Sequence, residues 1–60
     1  SQRKCLYAYR DIKKGEMLNK KNITIKGPAG GILPKYLNIV LGRRAKFNIE
    51  VDEPITWETI

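Results

Sequence analysis

A pattern that occurs twice limits what this 60-residue chain can fold into. When the sequence is shifted by 37 positions along itself, each copy reads as a strand, a turn, an apolar pair, a capped turn and an isoleucine. Two such copies cover each other's apolar sides most simply about a pseudo-twofold axis. The sequence therefore predicts a mostly β fold with short helical turns and an internal pseudo-twofold repeat. The identical residues that carry the repeat are Ala8 and Ala45, Ile12 and Ile49, Glu16 and Glu53, and Ile23 and Ile60.

The apolar residues of the two copies predict a small core. A domain of this length hides only about 60% of the surface that its unfolded chain exposes, so we expect marginal stability and no deep, self-contained active site. The residues expected in the core are Ile12, Leu18, Ile23, Ile49, Ile55 and Ile60.

Three short strands are predicted. Residues 6–12 alternate loosely between apolar and polar and lead into a turn, for which Gly15 is suited because it accepts positive φ. Residues 23–25 form a second, β-branched strand. Alternation over residues 45–49 predicts a third, half-buried strand that contains Phe47.

Helical structure is predicted at two places. Asn19 is placed to cap a single turn over residues 20–23, because its side chain can accept backbone N–H bonds. Pro34 suits the first position of a helix, and Gly42 is placed to end that helix in a left-handed conformation.

One cysteine and no histidine exclude several classes of protein. Cys5 cannot form an internal disulfide, and one thiol without an imidazole cannot build a zinc site or a Cys–His couple. We expect Cys5 to be a small apolar residue at the start of a strand. The longest aliphatic stretch, 39–41, is far shorter than the roughly 20 residues of a membrane-spanning helix. The sequence predicts a protein of a reducing, cytoplasmic compartment with no catalytic residue and no metal ligands.

The charge is unevenly distributed. The net charge is +6, made up of +10 over residues 1–47 and −4 over residues 48–60. This asymmetry fits a nucleic-acid surface, a docking face for an acidic partner, or two solvated faces that attract each other. Tyr7 and Tyr9 would share one face of a strand beside Arg10, as in a platform for single strands. A small basic nucleic-acid-binding module is therefore an alternative function.

The segment 26–31 is the most unusual part of the chain. Three glycines and a proline follow Lys26, which predicts an exposed loop made mainly of backbone. Glycines let a ligand approach closely, and Lys26 supplies a positive charge. The segment is neither a Walker loop nor a dinucleotide fingerprint. It is either a plain connection between the repeats or a contact with a partner.

Five segments of the chain resemble the SAF domain, and more closely the antifreeze-like C-terminal domain of bacterial sialic acid (N-acetylneuraminate) synthases and their legionaminic and pseudaminic acid relatives. The resemblance implies a β-clip, or type III antifreeze-like, fold for a single domain over residues 1–60. It also implies a longer synthase with an N-terminal TIM barrel, which agrees with a chain that begins at Ser1 rather than Met. The segments are 11–18, 22–23, 26–34, 41–43 and 49–57.

The resemblance also implies a function. Synthases of this family condense phosphoenolpyruvate with an N-acylated hexosamine such as N-acetylmannosamine, in a TIM barrel that holds a divalent metal, usually manganese. The antifreeze-like domain caps the barrel mouth of the partner subunit in a homodimer and contacts the amino sugar. We therefore expect this domain to bind no cofactor, no membrane and, as part of a synthase, no nucleic acid.

The family's substrate-contacting pattern is Lys-Arg-Pro-Gly-x-Gly, and this chain departs from it. Gly27 stands at the arginine position, and Ala29 stands where the pattern has its first glycine. A bidentate contact to the sugar is lost there, and a lysine replaces it only as a point charge. We expect Trp57 to be packed rather than functional. The substrate contacts implied by the resemblance are Lys26, Gly27, Pro28, Gly30 and Gly31.

Overall fold

A computed structural model gives the structure of residues 3–60. Strand β1 (Cys5–Ala8) pairs antiparallel with strand β2 (Ile23–Lys26). A 3-10 turn (Pro34–Tyr36) leads directly into helix α1 (Leu37–Val40), and a further 3-10 turn (Trp57–Thr59) lies near the end of the chain. These elements agree with a small β domain that contains short helical turns. In residues 3–60, no helix has the length and apolar character needed to span a bilayer.

The first predicted strand is shorter than expected, whereas the second is confirmed. β1 ends at Ala8, and Ile12 forms an isolated bridge with Ile49 instead of extending the ladder. The reason is a change of partner, because Tyr9 donates its backbone N–H to Asn22 while Ile12 pairs with the other repeat. Residues 23–25 do form a strand, which extends by one residue to Lys26.

The predicted strand over residues 45–49 is wrong. Its ends are buried as expected, but Phe47 is 59% exposed. The backbone N–H groups of Ala45, Lys46 and Ile49 donate to three separate segments of the chain, so no single partner strand forms a ladder with them. Alternation in sequence reflects two buried anchor points here, with a bend between them.

The predicted helix and the capped turn are each confirmed in part. Pro34 opens the 3-10 turn that precedes α1 rather than α1 itself, and Gly42 follows the helix with φ of 95°, as predicted. Asn19 Oδ1 accepts the backbone N–H groups of Lys21 and Asn22 at 2.8 and 3.1 Å. The segment after Asn19 is a tight turn rather than a helical one, and Ile23 already belongs to β2.

All six predicted core residues are buried, and Cys5 is fully buried at the start of β1 as expected. The one buried polar residue among residues 3–60, Asn22, donates to the carbonyl of Met17 at 3.0 Å and accepts from the N–H of Asn19 at 2.8 Å. Its burial therefore leaves no unpaired polar group. The core also contains Leu6, Ala8, Ile32, Val40 and Ala45.

The backbone hydrogen bonds repeat with the same 37-residue offset as the sequence. Ile12 and Ile49 exchange two bonds of 2.7 Å, which is what a twofold relation between the repeats requires at its centre. In the turns, Glu16 accepts the N–H of Lys13, and Glu53 accepts that of Glu50, so both glutamates stabilise turns as expected. Further matched bonds run from Gly15 to Ala45 and Asp52 to Ala8, from Ala45 to Glu16 and Ala8 to Glu53, and from Leu18 to Arg43 and Ile55 to Leu6.

Candidate functional site

The segment 26–31 is called here the glycine loop. It begins at Lys26, the last residue of β2, and leads towards the 3-10 turn that starts at Pro34. Residues 27–30 are exposed, Gly31 is half-buried, and the bond between Gly27 and Pro28 is cis. The five residues implied as substrate contacts therefore lie along one continuous stretch, most of it open to solvent. The loop is exposed, as its composition predicts.

Tyr7 is hydrogen-bonded to the backbone of the glycine loop. It is buried in β1, and its hydroxyl donates to the carbonyl oxygen of Pro28 at 2.5 Å. The expectation that Tyr7 and Tyr9 share one face of a strand is wrong, because β1 ends at Ala8. Tyr7 is buried within β1, whereas Tyr9 lies beyond its end and is 65% exposed. A buried tyrosine normally finds a partner for its hydroxyl. A tyrosine in a predicted strand therefore suggests a hydrogen bond from its hydroxyl, but the sequence does not indicate that Pro28 is the acceptor.

Gly31 is required by packing of the backbone. A Cβ atom at this position would lie 2.2 Å from the carbonyl oxygen of Ile55, which is the oxygen that accepts the N–H of Ile32 at 2.8 Å. Gly30 differs, because a Cβ there would have its nearest neighbour at 3.7 Å, in the ring of Pro54. The end of the glycine loop is thus fixed against the second repeat, while its middle is not.

Lys26 is already engaged with another residue of the chain. Its Nζ lies 2.6 Å from Oδ1 of Asp52 and 5.0 Å from the centroid of the Tyr7 ring. The pair is partly exposed, at 42% for the Lys26 side chain and 69% for that of Asp52, so it contributes little to the stability of the fold. Sequence reasoning missed Asp52 because 26 positions separate it from Lys26.

Gly27 has limited room for a side chain. A Cβ atom would lie 3.1 Å from the carbonyl oxygen of Arg3, so a shift of a few tenths of an ångström would admit it. The positive-φ residues among those described do not include Gly27. The backbone conformation therefore does not require glycine here, and a Cβ atom fits if the carbonyl of Arg3 shifts slightly.

A basic groove lies away from the glycine loop. It has a volume of about 390 Å³, and its cationic residues are Arg10, Lys20 and Lys21. Arg10 is held by a hydrogen bond of 3.2 Å from Nη2 to the carbonyl oxygen of Lys21. No carboxylate of residues 3–60 lines this groove. The remaining lining residues are Tyr9, Ile23 and Thr24.

Trp57 is packed on one side and open on the other. Its ring meets that of Tyr36 edge to face, with centroids 5.8 Å apart, and the guanidinium of Arg43 lies 5.7 Å from its centroid. The side chain nevertheless stays 43% exposed. The expectation of a packed tryptophan is met on the Tyr36 side only.

The described residues do not suit a metal ion. In the range 3–60, no three side chains of the His, Cys, Asp or Glu type come together as a ligand set. Within this range, the side chains present therefore do not fit the manganese that the resemblance implies for the parent barrel.

A comparison of the sequence with the patterns of known protein families identifies the family of this chain. The chain belongs to the SAF domain family, whose pattern matches residues 3–60. The resemblance noted in the sequence is thereby confirmed.

Among curated proteins, the chain is 45% identical over 58 residues to an uncharacterized protein of Methanocaldococcus jannaschii, covering 97% of this chain and 17% of that protein. It is 45% identical over 53 residues to the N,N'-diacetyllegionaminic acid synthase of Campylobacter jejuni, covering 88% and 16%. It is 38% identical over 50 residues to the pseudaminic acid synthase of the same species, covering 83% and 15%. The chain spans about a sixth of the length of these relatives.

Proposed function

We propose that this chain is the substrate-capping and dimer-contact domain of a longer nonulosonic acid synthase. The observation that carries the proposal is the SAF match over residues 3–60 together with its similarity to two named synthases, each about six times as long as the matched segment. The parent would condense phosphoenolpyruvate with an N-acylated hexosamine such as N-acetylmannosamine, in a manganese-containing TIM barrel. We place the parent in the cytoplasm and the capped barrel in the partner subunit of a homodimer.

The proposal includes the β-clip fold. Its support is the reciprocal pairing of Ile12 with Ile49 and the matched turn bonds around it, which relate the repeats by a twofold. In such a fold the two turns occupy equivalent positions. The glycine loop lies in the connection between the repeats, so it occurs only once among residues 3–60. The loop is therefore free to take a function that the repeat itself does not need.

The glycine loop is the proposed contact with the amino sugar. Ala29 and Gly30 are exposed, and within residues 3–60 their amides meet no acceptor, which supports a contact with a carbonyl or hydroxyl oxygen of the sugar. The Lys26 ammonium adds donors beside them, and the Tyr7 hydroxyl fixes the backbone at Pro28. These residues bind and orient, whereas bond formation between the substrates is left to the barrel. The proposed contacts remain Lys26, Gly27, Pro28, Gly30 and Gly31.

The first prediction tests this contact in the full-length synthase. We expect Lys26→Met to raise the KM for the amino sugar about threefold to tenfold, which is the range for loss of one partly exposed polar contact, and to leave the KM for phosphoenolpyruvate unchanged. Steady-state kinetics with a panel of N-acylated hexosamines identify the best substrate and measure the effect on it.

Lys46→Met is the matched control, because Lys46 is an exposed lysine of the second repeat that lies outside the glycine loop. It is expected to leave both KM values unchanged. Equal kinetics for Lys26→Met, Lys46→Met and the unmodified enzyme would show that the loop does not face the sugar.

One observation favours the alternative function, a basic nucleic-acid-binding module. The basic groove combines three cations with the exposed ring of Tyr9, which are the groups that track phosphates and stack bases. Binding of single-stranded oligonucleotides should then weaken steeply as salt is raised and should be lost in Tyr9→Ala. Absence of binding at low salt removes this alternative.

A further inference from the structure

Asp52 has a backbone conformation that favours glycine. Its φ is 69°, in the left-handed region, and its counterpart in the first repeat is Gly15 with φ of 88°. Non-glycine residues are uncommon there, although aspartate is among those that tolerate it. Both residues make the same backbone bond, Asp52 to the carbonyl of Ala8 and Gly15 to that of Ala45. The backbone bond of the turn therefore needs no side chain at position 52, so the Asp52 carboxylate is free to make a contact of its own.

The Asp52 carboxylate connects the turn of the second repeat to the glycine loop. Oδ1 accepts from Lys26 Nζ at 2.6 Å, and that ammonium lies over the ring of Tyr7, whose hydroxyl binds the carbonyl of Pro28. Four residues from three parts of the chain thus form one continuous set of contacts. These contacts place the Lys26 ammonium between the Asp52 carboxylate and the ring of Tyr7, whose hydroxyl binds the loop backbone.

The pairing also changes what Lys26 can bind. An ammonium has three donors, and Asp52 uses one of them, so the others remain for a neutral acceptor. An anionic ligand group, in contrast, would meet a charge that is already balanced and would lie close to the Asp52 carboxylate. The site therefore favours an uncharged polar group.

We propose that Asp52 is a positioning and specificity-determining residue of the glycine loop, which holds the Lys26 ammonium in place and restricts the loop to uncharged groups such as an N-acyl carbonyl or a sugar hydroxyl. This inference rests on the proposed function of the loop. It assigns a role to a residue outside the family's Lys-Arg-Pro-Gly-x-Gly pattern, in the second repeat.

The test uses Asp52→Gly and Asp52→Asn in the full-length synthase, with the best neutral substrate from the hexosamine panel and its N-succinyl analogue as an anionic competitor. Asp52→Gly suits the left-handed turn, so its melting temperature should be equal to or above that of the unmodified enzyme. We expect both variants to raise the KM of the neutral sugar about threefold to tenfold and to strengthen inhibition by the N-succinyl analogue by a similar factor, with kcat little changed.

Glu58→Gln is the matched control, since it removes an exposed carboxylate from the 3-10 turn Trp57–Thr59, away from Lys26. It should leave the preference between neutral and anionic sugars unchanged. Combining Asp52→Gly with Lys26→Met should add nothing to the effect of Lys26→Met alone, because the two residues act as one unit.

The outcomes separate the two proposals. If Lys26→Met changes the KM while both Asp52 variants behave as Glu58→Gln does, the role of Asp52 is overturned and the loop contact stands. If Lys26→Met has no effect, the loop contact is overturned, and the role of Asp52 falls with it.

Discussion

Gly30 and Gly31 are neighbours with different surroundings. A methyl group at Gly31 would lie 2.2 Å from a backbone oxygen of Ile55, which cannot move without losing its bond to Ile32. At Gly30 the nearest atom would be 3.7 Å away, an ordinary contact. The two glycines therefore have separate reasons to be glycine, and only Gly31 is fixed by the fold.

The second prediction follows from this difference. We expect Gly31→Ala to destabilise the domain by about 1–3 kcal/mol, the usual cost of forcing atoms into a packed region. Gly30→Ala should change stability by less than about 0.5 kcal/mol. Urea unfolding followed by tryptophan fluorescence measures both, and equal midpoints for the two variants would contradict the prediction.

The third prediction concerns the missing arginine at Gly27. Gly27→Arg restores a guanidinium with a planar, bidentate set of donors, so we expect the KM of the parent synthase for the amino sugar to fall about threefold or more. The Cβ atom at 3.1 Å from the carbonyl of Arg3 adds a small strain. Kinetics of Gly27→Ala isolate that strain from the effect of the guanidinium. A KM that is the same for both variants would argue against a sugar contact at this position.

Sequence reasoning reached only part of the candidate site, for physical reasons. The exposure of the glycine loop follows from composition, because glycine and proline disfavour regular structure. The contacts that hold it do not, since Tyr7 and Asp52 are distant in sequence and meet Pro28 and Lys26 only after folding. Nothing in a single sequence states that an aspartate in a turn will pair with one particular lysine among several.

Among the short elements, the tight turn after Asn19 is stabilised by the side chains of Asn19 and Asn22. Asn19 Oδ1 accepts two backbone N–H groups, those of Lys21 and Asn22, just before β2 begins. Because Asn22 is itself buried and hydrogen-bonded, the turn connects the surface to the core. The side chain of Asn19 therefore stabilises the turn that leads into β2.

The fourth prediction is that Asn19→Ala lowers the free energy of unfolding by about 1 kcal/mol, the typical value for a lost cap. Asn38→Ala is the control, because Asn38 is exposed in α1, where alanine is the better helix former. Thermal unfolding by circular dichroism compares the two. A melting temperature lowered equally in both variants would remove the special role of Asn19.

The sequence predicts β2 correctly and residues 45–49 incorrectly, because the two segments differ in how many other segments they are hydrogen-bonded to. β2 was found from its β-branched residues, and it has one partner strand along its whole length. Residues 45–49 have the same apolar alternation, yet their N–H groups bond to Glu16, Thr59 and Ile12 in turn. The alternation correctly predicts that Ala45 and Ile49 are buried. It does not indicate whether one strand or three separate segments accept the backbone N–H groups.

At the level of the whole domain, the repeat organises the core. The pattern found by shifting the sequence recurs in the backbone bonds, with Ile12 and Ile49 paired at the centre. Leu6 and Ile32, which lie outside the predicted core, complete it from β1 and from the connection between the repeats. These two were missed because neither has an apolar counterpart in the shifted sequence: Leu6 falls on Arg43, and Ile32 lies in the connection.

The fifth prediction tests the centre of the repeat. Ile12→Val and Ile49→Val should each cost about 0.5–1.5 kcal/mol of stability, and the two values should agree because the positions are equivalent. We expect the double variant to depart from the sum of the singles, since both residues belong to one core and bond to each other. Urea unfolding of the three variants measures this, with exposed Val51→Ala as the control. Strongly unequal single values would speak against equivalent positions.

The reciprocal bonds between Ile12 and Ile49 also determine how the chain reaches its folded state. Many backbone bonds of each repeat go to the other repeat, from the 25 positions between Leu18 and Arg43 to the 49 positions between Leu6 and Ile55. These bonds form only after the long segments between them have closed. We therefore expect folding to be slow for so small a domain, because closing these segments costs chain entropy before their contacts form. If the chain is cut within the connection, the two halves should regain structure only after they associate with each other, at a rate that rises with their concentration.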